Sequence, residues 1–222
     1  YAVTVTATGG CTATSSISVT VQGSSLTCGL VAHYKLDNET QDASGNGNNA
    51  TNNGNVTGTQ DRFGNCNKAM RFNGSTGYLS ATSSTSLNSP TTAITLSGWA
   101  KASANVGSLD GIICKVGPGD NDLHYRFGVN GNNEIIFGYT LTGGSWTGKQ
   151  VALPSGYDRA LWNHYAATWD GTNVRFYLNG VQVGSPQALT GQIANLAATL
   201  NLGRDQHGPD EYANADLDDL RI

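Results

Sequence analysis

Hydrophobic and polar residues alternate along this chain in short bursts. Val3 and Val5 alternate with Thr4 and Thr6, then "TGGC" intervenes, and Ile17, Val19 and Val21 alternate with Ser18 and Thr20. A period of two marks a half-buried strand, so residues 1–22 predict a hairpin. From Leu26 onward similar bursts recur throughout. Leu30, Ala32, Tyr34 and Leu36 mark one face of a strand, and "ITLSGWA" (Ile94–Ala100), "GIICK" (Gly111–Lys115), "YRFGV" (Tyr125–Val129) and "EIIFGY" (Glu134–Tyr139) follow. "HYAATW" (His164–Trp169) turns through Asp170–Gly171 into "NVRFYL" (Asn173–Leu178). Asn179–Gly180, a pair favoured in type I′ hairpin turns, then leads into Val181–Val183. "TLNLG" (Thr199–Gly203) and "LDDLRI" (Leu217–Ile222) complete the series. No segment predicts a helix, and even "QIANLAATL" reads as loop plus strand. Short strands without crossover helices predict an all-β antiparallel sandwich or jelly roll.

Composition narrows this picture. A chain of 222 residues with 29 glycines and only 13% charged residues suits one sandwich with many turns. A net charge of −4 without a basic cluster argues against nucleic acid or an anionic membrane as partner. No apolar run approaches the ~18 residues that cross a bilayer, and no signal peptide is visible. A lone hairpin is marginally stable in water. Residues 1–22 therefore read as the tail of an upstream domain, with 23–28 as linker and 29–222 as the main domain. The hairpin resembles the last hairpin of the immunoglobulin-like or PKD-type repeats of bacterial surface proteins.

Cys11, Cys28, Cys66 and Cys114 form no C-x-x-C pair and no zinc spacing. They allow three full pairings, or some stay free and buried. Richness in Thr and Asn suits an extracellular protein, where disulfides persist. Accessible turn positions favour Cys28–Cys66, and Cys11 would pair upstream.

"KLDNETQDASGNGNNA" (Lys35–Ala50) sets Asp37 and Asp42 among Asn, Gly, Ser and Thr. Such a run either cages a hard cation or forms turns in which Asp accepts backbone hydrogen bonds. The EF-hand spacing is absent, and the residues alone leave both readings open.

A longer set of motifs resembles a known family. "GLVAHYKLD", "DASGNGNNAT", "RFGNCNKAMRFNGSTGYLS", "ITLSGWAK", "WNHYAATWDGTNVRFYLNGVQVG", "LNLGRD" and "ADLDDLRI" are similar, in order, to LamG-like jelly-roll domains. The resemblance implies a concanavalin A-like jelly-roll sandwich of two curved antiparallel sheets, with the first and last strands adjacent. It also implies a non-catalytic module that binds glycans or proteins, often with a structural calcium ion. Strand adjacency would bring Asp37 to Asp218, which shares a face with Leu220 and Ile222. A calcium ion would then sit between these carboxylates, with Asp42 and Asn48 in the donor loop.

Catalysis finds little support in the residues. The chain has three glutamates, Glu39, Glu134 and Glu211, and none lies in an E-x-D-x-x-E pattern suited to a glycosidase. His164, within the tryptophan signature, reads as a core or strand-start residue. Trp99, Trp162 and Trp169 sit in strand signatures and read as core. Trp146 lies in "LTGGSWTGKQ", which reads as a glycine-rich turn. A tryptophan there is either a lid or a sugar-stacking group. Loops 117–126 and 203–212 supply polar partners: Asp120, Asp122, His124, Arg126 and Asp205. The expected role is a secreted or cell-surface glycan-binding or adhesion module, beside immunoglobulin-like neighbours. A spacer in a surface fibre and an accessory module of an exported polysaccharide-degrading enzyme are the alternatives.

Overall fold

The computed structural model describes residues 2–6, 12–16, 28–103, 109–117, 123–142, 144, 146–206 and 211–222. The hairpin pairs β1 (Ala2–Thr6) with β2 (Thr12–Ser16), in register Ala2↔Ser16. Its second strand thus begins earlier than the Ile17–Val21 alternation suggests, and residues 17–21 lie outside the described set.

The main domain continues with β3 (His33–Tyr34), β4 (Thr51–Asn53), β5 (Thr57–Thr59), β6 (Ala69–Asn73), β7 (Tyr78–Ala81) and a single turn of helix, α1 (Thr85–Asn88). Then come β8 (Ile94–Ala102), β9 (Leu109–Val116), β10 (Leu123–Val129), β11 (Glu134–Thr140) and β12 (Trp146–Ala152). The remaining strands are β13 (Asn163–Trp169), β14 (Asn173–Leu178), β15 (Val181–Ala188), β16 (Leu200–Leu202), β17 (Arg204–Asp205), β18 (Glu211–Tyr212) and β19 (Asn214–Arg221). They form one antiparallel sheet in the order β12-β11-β10-β9-β16-β7-β4 and a second in the order β15-β14-β13-β8-β19-β6-β5, with β3 added on β19. This is the two-sheet jelly-roll sandwich that the alternation predicts.

Local chemistry explains the connections. Asn179 (φ 51°) and Gly180 (φ 80°) both take positive φ, as a type I′ turn demands. Ser84 caps α1 by accepting a hydrogen bond from the Leu87 amide. The edge strands β4 and β5 carry mostly polar residues because an edge buries little, which is why their alternation is faint in the sequence.

The core lies between the sheets. Tyr125, Phe127, Phe137 and Tyr139 project from one sheet to meet Tyr165, Trp169, Phe176 and Leu217 from the other. The Trp169 Nε1–H donates to the Leu189 carbonyl at 2.7 Å, and its ring lies 4.8 Å from that of Tyr139. The first and last strands are neighbours as expected, with Tyr34 opposite Leu220 and His33 opposite Arg221. No helix among the described residues is long and apolar enough to cross a membrane.

Candidate functional site

On β10 and β11 the aromatic residues point inward, so the residues between them face outward. Register places Gly148, Gly138 and Arg126 side by side across β12, β11 and β10 on that outer face. The two glycines leave a flat floor, and the indole of Trp146 fills it. A Cβ on Gly138 would lie 3.1 Å from Trp146 Cζ2, and one on Gly148 would lie 3.0 Å from its Cη2. The six-membered ring therefore rests on bare backbone, and Trp146 keeps 48% of its surface exposed. Glycine inside a strand often marks such a close approach.

Arg126 sits beside this platform. Its Nε lies 2.8 Å from Asp205 Oδ2, and its Nη2 lies 3.9 Å from Glu211 Oε2. Asp205 is buried on β17, whose backbone lies directly over Gly111. The β17–β18 hairpin thus fixes the guanidinium from outside the sheet. Asn130 and Gln150 donate to the same Glu134 carboxylate oxygen at 2.7 and 3.0 Å. Gln187, reaching over from β15 of the opposite sheet, donates to the Gln150 carbonyl at 2.8 Å. Asn130, Lys149, Gln150 and Gln187 line a cleft of about 500 Å³ with Trp146, Arg126 and Glu211. An apolar ring face bordered by amide, guanidinium and carboxylate groups suits a ligand with apolar and hydroxyl faces.

The structure therefore unites Trp146, Arg126 and Asp205. It also corrects the setting of Trp146, which opens a strand and does not sit in a turn. His124 is not part of the cleft. It is fully buried against Tyr125, with Lys115 and the carbonyls of Pro90 and Leu196 around its ring. Burial, with the Lys115 charge, pushes its pKa down to about 3. Lys115 is also buried, donates to the Leu196 carbonyl at 2.5 Å, and is pushed down to about 8 by burial. Asp120 and Asp122 lie outside the described residues.

Trp99 and Trp162 are also corrected. Both are partly exposed, and only Trp169 of the three strand-signature tryptophans is buried in the core. Trp99 shares a face with Thr95 and Ser97, and pairs across strands with His164 on one side and Asp218 on the other. His164 accordingly lies on the outer face of the second sheet, away from the core.

Of the four residues expected around calcium, Asp37 and Asp218 line one pocket with Asp61 and Asp219, while Asp42 and Asn48 are hydrogen-bonded within their own loop and to α1. Asp218 does not face the core with Leu220. Asp219 (φ 55°) forms a β-bulge that breaks the alternation and leaves Asp218 beside Trp99. Asp218 is bound by Arg62 Nη1, and Arg62 Nη2 lies 3.2 Å from Asp219. Lys68 pairs with Asp37 at 3.2 Å. Asp42 accepts from the His33, Ser44 and Asn48 amides and from Ser44 Oγ, which holds its carboxyl below the usual range against the cost of burial. Asn48 Oδ1 accepts from Ser84 and Ser86. Among the described residues no group of three or more His, Cys, Asp or Glu side chains is placed to hold a metal. The expected Cys28–Cys66 disulfide is absent: both thiols are free and exposed. Cys28 borders a trough with Ile94, Asp170 and Ile222, whereas Cys66 lies beside Gln60.

Known proteins bear on the fold. The family model described as "Concanavalin A-like lectin/glucanases superfamily" matches residues 73–222. No curated protein matches the chain in sequence. Domain 4 of AbnA, a GH43 extracellular arabinanase from Geobacillus stearothermophilus solved with arabinotriose, is similar in structure. It has a TM-score of 0.59 and 20% identity, over 86% of this chain and 90% of that one. The binding domain of Paraclostridial Mosquitocidal Protein 1 has a TM-score of 0.63 and 16% identity, over 88% of this chain and 48% of that one. The binding domain of Botulinum Neurotoxin DC, solved with SialylT, has a TM-score of 0.63 and 18% identity, with the same coverage of 88% and 48%. This chain thus spans about half the length of each toxin binding domain.

Proposed function

The chain belongs to the concanavalin A-like lectin/glucanases superfamily, and from that premise we propose that its main domain is a non-catalytic glycan-binding module. The observation that carries this reading is the seating of Trp146 on the Gly138–Gly148 pair beside Arg126. A sugar ring would lay its C–H face on the indole, and its hydroxyls would reach Arg126, Glu211, Gln150 and Gln187. Arg126 is prepaid in conformation by Asp205, so little side-chain freedom is lost on binding. The neighbours named above are similar in fold, and two were solved with carbohydrate ligands, which supports the reading.

A secreted or cell-surface setting accords with it, whether as an adhesion module or as an accessory module of a polysaccharide-degrading enzyme. The latter is the arrangement of the arabinanase domain. A glycan array followed by calorimetry on the best hit tests the proposal. Trp146→Ala should weaken binding by about 1–3 kcal/mol, the usual range for an important contact residue. Its melting temperature should stay close to that of the parent. Unchanged affinity in a folded Trp146→Ala protein would remove the site from consideration.

A further inference from the structure

The outer face of the second sheet carries a larger hollow. Its floor is built from small and hydroxyl side chains, since Ser97 pairs with Ala166 and Thr95 with Thr168 across β8 and β13. Trp99 and His164 form its end wall, with ring centroids 5.3 Å apart in an edge-on arrangement. This trough has a volume of about 780 Å³. Beyond the Trp99–His164 wall lies a second hollow of about 540 Å³, lined by the same two residues with Trp162, Asn179 and Gly180. The two hollows share a wall and run on from one another along the sheet.

The charged groups around this face are neutralised within the protein. Arg62 is held by Asp218 and Asp219, Arg221 lies 3.4 Å from Asp219, and Arg175 lies 2.6 Å from Asp170. What remains for a ligand is two partly exposed indoles, a row of hydroxyls and one imidazole. Burial, with the charges of Arg221 and Arg62, holds His164 below its ordinary pKa, so at neutral pH the ring offers one donor and one acceptor. That combination fits neighbouring hydroxyls on a sugar. Among the described residues it offers no unmatched cation to a phosphate or carboxylate.

We propose that this trough is a second binding site, for a linear neutral oligosaccharide, with Trp99, Trp162 and His164 as its contact residues. It lies on the opposite sheet from the Trp146 cleft, so the domain could hold two separate glycan chains at once. Such a module gains avidity on a surface that presents many chains.

Indole N–H signals in a proton–nitrogen NMR spectrum read the two sites apart. The chain has four tryptophans: Trp146 reports the first cleft, Trp99 and Trp162 report the trough, and Trp169, which borders the trough but buries its indole N–H against the Leu189 carbonyl, serves as internal control. The probes are arabinotriose, cellotetraose, mannotetraose and xylotetraose, each titrated into the full chain. At least one sugar is expected to shift Trp99 and Trp162 while leaving Trp169 in place. The same shifts should persist in Trp146→Ala, and the Trp99 shift should be lost in a folded His164→Gln, Trp162→Ala double variant. If Trp146 responds and the trough signals stay fixed with every sugar, the second site is overturned and the first stands. Trough shifts without a Trp146 response would sink the first site alone. Trough shifts that follow protein concentration without sugar would mark a self-association face, which also overturns the proposal.

Discussion

Gly138 and Gly148 face each other across β11 and β12, and the Trp146 ring occupies the space that two side chains would otherwise fill. Neither glycine has a positive φ, so their role is to leave room, and a methyl group tests it directly. In Gly138→Ala the new Cβ would sit 3.1 Å from Trp146 Cζ2 and 3.0 Å from the Thr147 carbonyl. The indole should tilt off its seat. Affinity for a sugar that binds the cleft is expected to fall by about 0.7–1.4 kcal/mol, a lesser loss than removing the ring. Tryptophan fluorescence should change while the melting temperature moves little. Full affinity in this variant would show that ring placement does not matter.

Gly203 answers to a different constraint. It has φ of 77°, and a Cβ there would fall 2.2 Å from Phe72 Cδ1. Phe72 is fully buried and has no room to retreat. Gly203→Ala combines left-handed backbone strain with overpacking, and should cost about 2–4 kcal/mol. Gly64 (φ 84°), whose Cβ would meet nothing within 4 Å, is the control. Its alanine variant carries only the backbone cost of about 1 kcal/mol. Equal urea midpoints for the two variants would contradict the packing argument.

Buried His124 should make the domain acid-sensitive. Burial, with the Lys115 charge, pushes its folded pKa down to about 3 from the ordinary value of 6.5. Below pH 6.5 the unfolded chain takes up a proton that the folded chain refuses. Stability from this group is therefore complete above pH 6.5 and is lost as pH falls toward 3. One proton changes stability by about 1.4 kcal/mol per pH unit, so the loss by pH 4 is on the order of 3 kcal/mol. Urea unfolding at pH 7, 5.5 and 4 measures it. His124→Gln should flatten this limb, and an identical slope in the variant would assign the sensitivity elsewhere.

Strand positions were legible because burial follows a period of two, and the family motifs fixed their order. The same period also held information that the tryptophan signature masked. Trp99 is in phase with Thr95 and Ser97, and Trp162 and His164 are in phase with Thr168, whereas Tyr165, Ala167 and Trp169 carry the core face. The motif implies that Trp99 and Trp162 are core, whereas phase places both outside. The Trp146 seat was out of reach for another reason. "EIIFGYT" and "WTGKQVA" each show a mid-strand glycine, but only the register between them brings the two glycines under one ring. The bulge at Asp219 was invisible because an inserted residue leaves no mark on composition. It turned Asp218 from the core face to the outer one.

Arg62 spans the two carboxylates of the β19 bulge. Its guanidinium bridges Asp218 and Asp219 and lies 4.8 Å from the Trp99 ring centroid and 4.7 Å from that of Phe63. Asp218 is nearly buried, and burial lifts its carboxyl to about 6 against the pull of Arg62. A calcium ion would have to displace Arg62 from Asp218 and Lys68 from Asp37. EDTA decides between the two partners: an unchanged melting temperature in the parent protein would leave Asp218 to Arg62 alone, and a clear fall would show a calcium ion bound by the native state. Arg62→Ala leaves the buried Asp218 carboxylate without that cation and should cost about 2–4 kcal/mol at pH 8. The sign of the pH dependence follows from the raised pKa. Between about 6 and 3.8 the folded protein binds the Asp218 proton more readily than the unfolded chain, so this group adds stability as pH falls through that window. Removing Arg62 raises the Asp218 pKa further, and the variant's deficit should shrink from pH 8 to pH 5. A deficit that stays constant over this range would mean that Arg62 stabilises the fold by packing on Trp99, with its charge on Asp218 contributing nothing measurable.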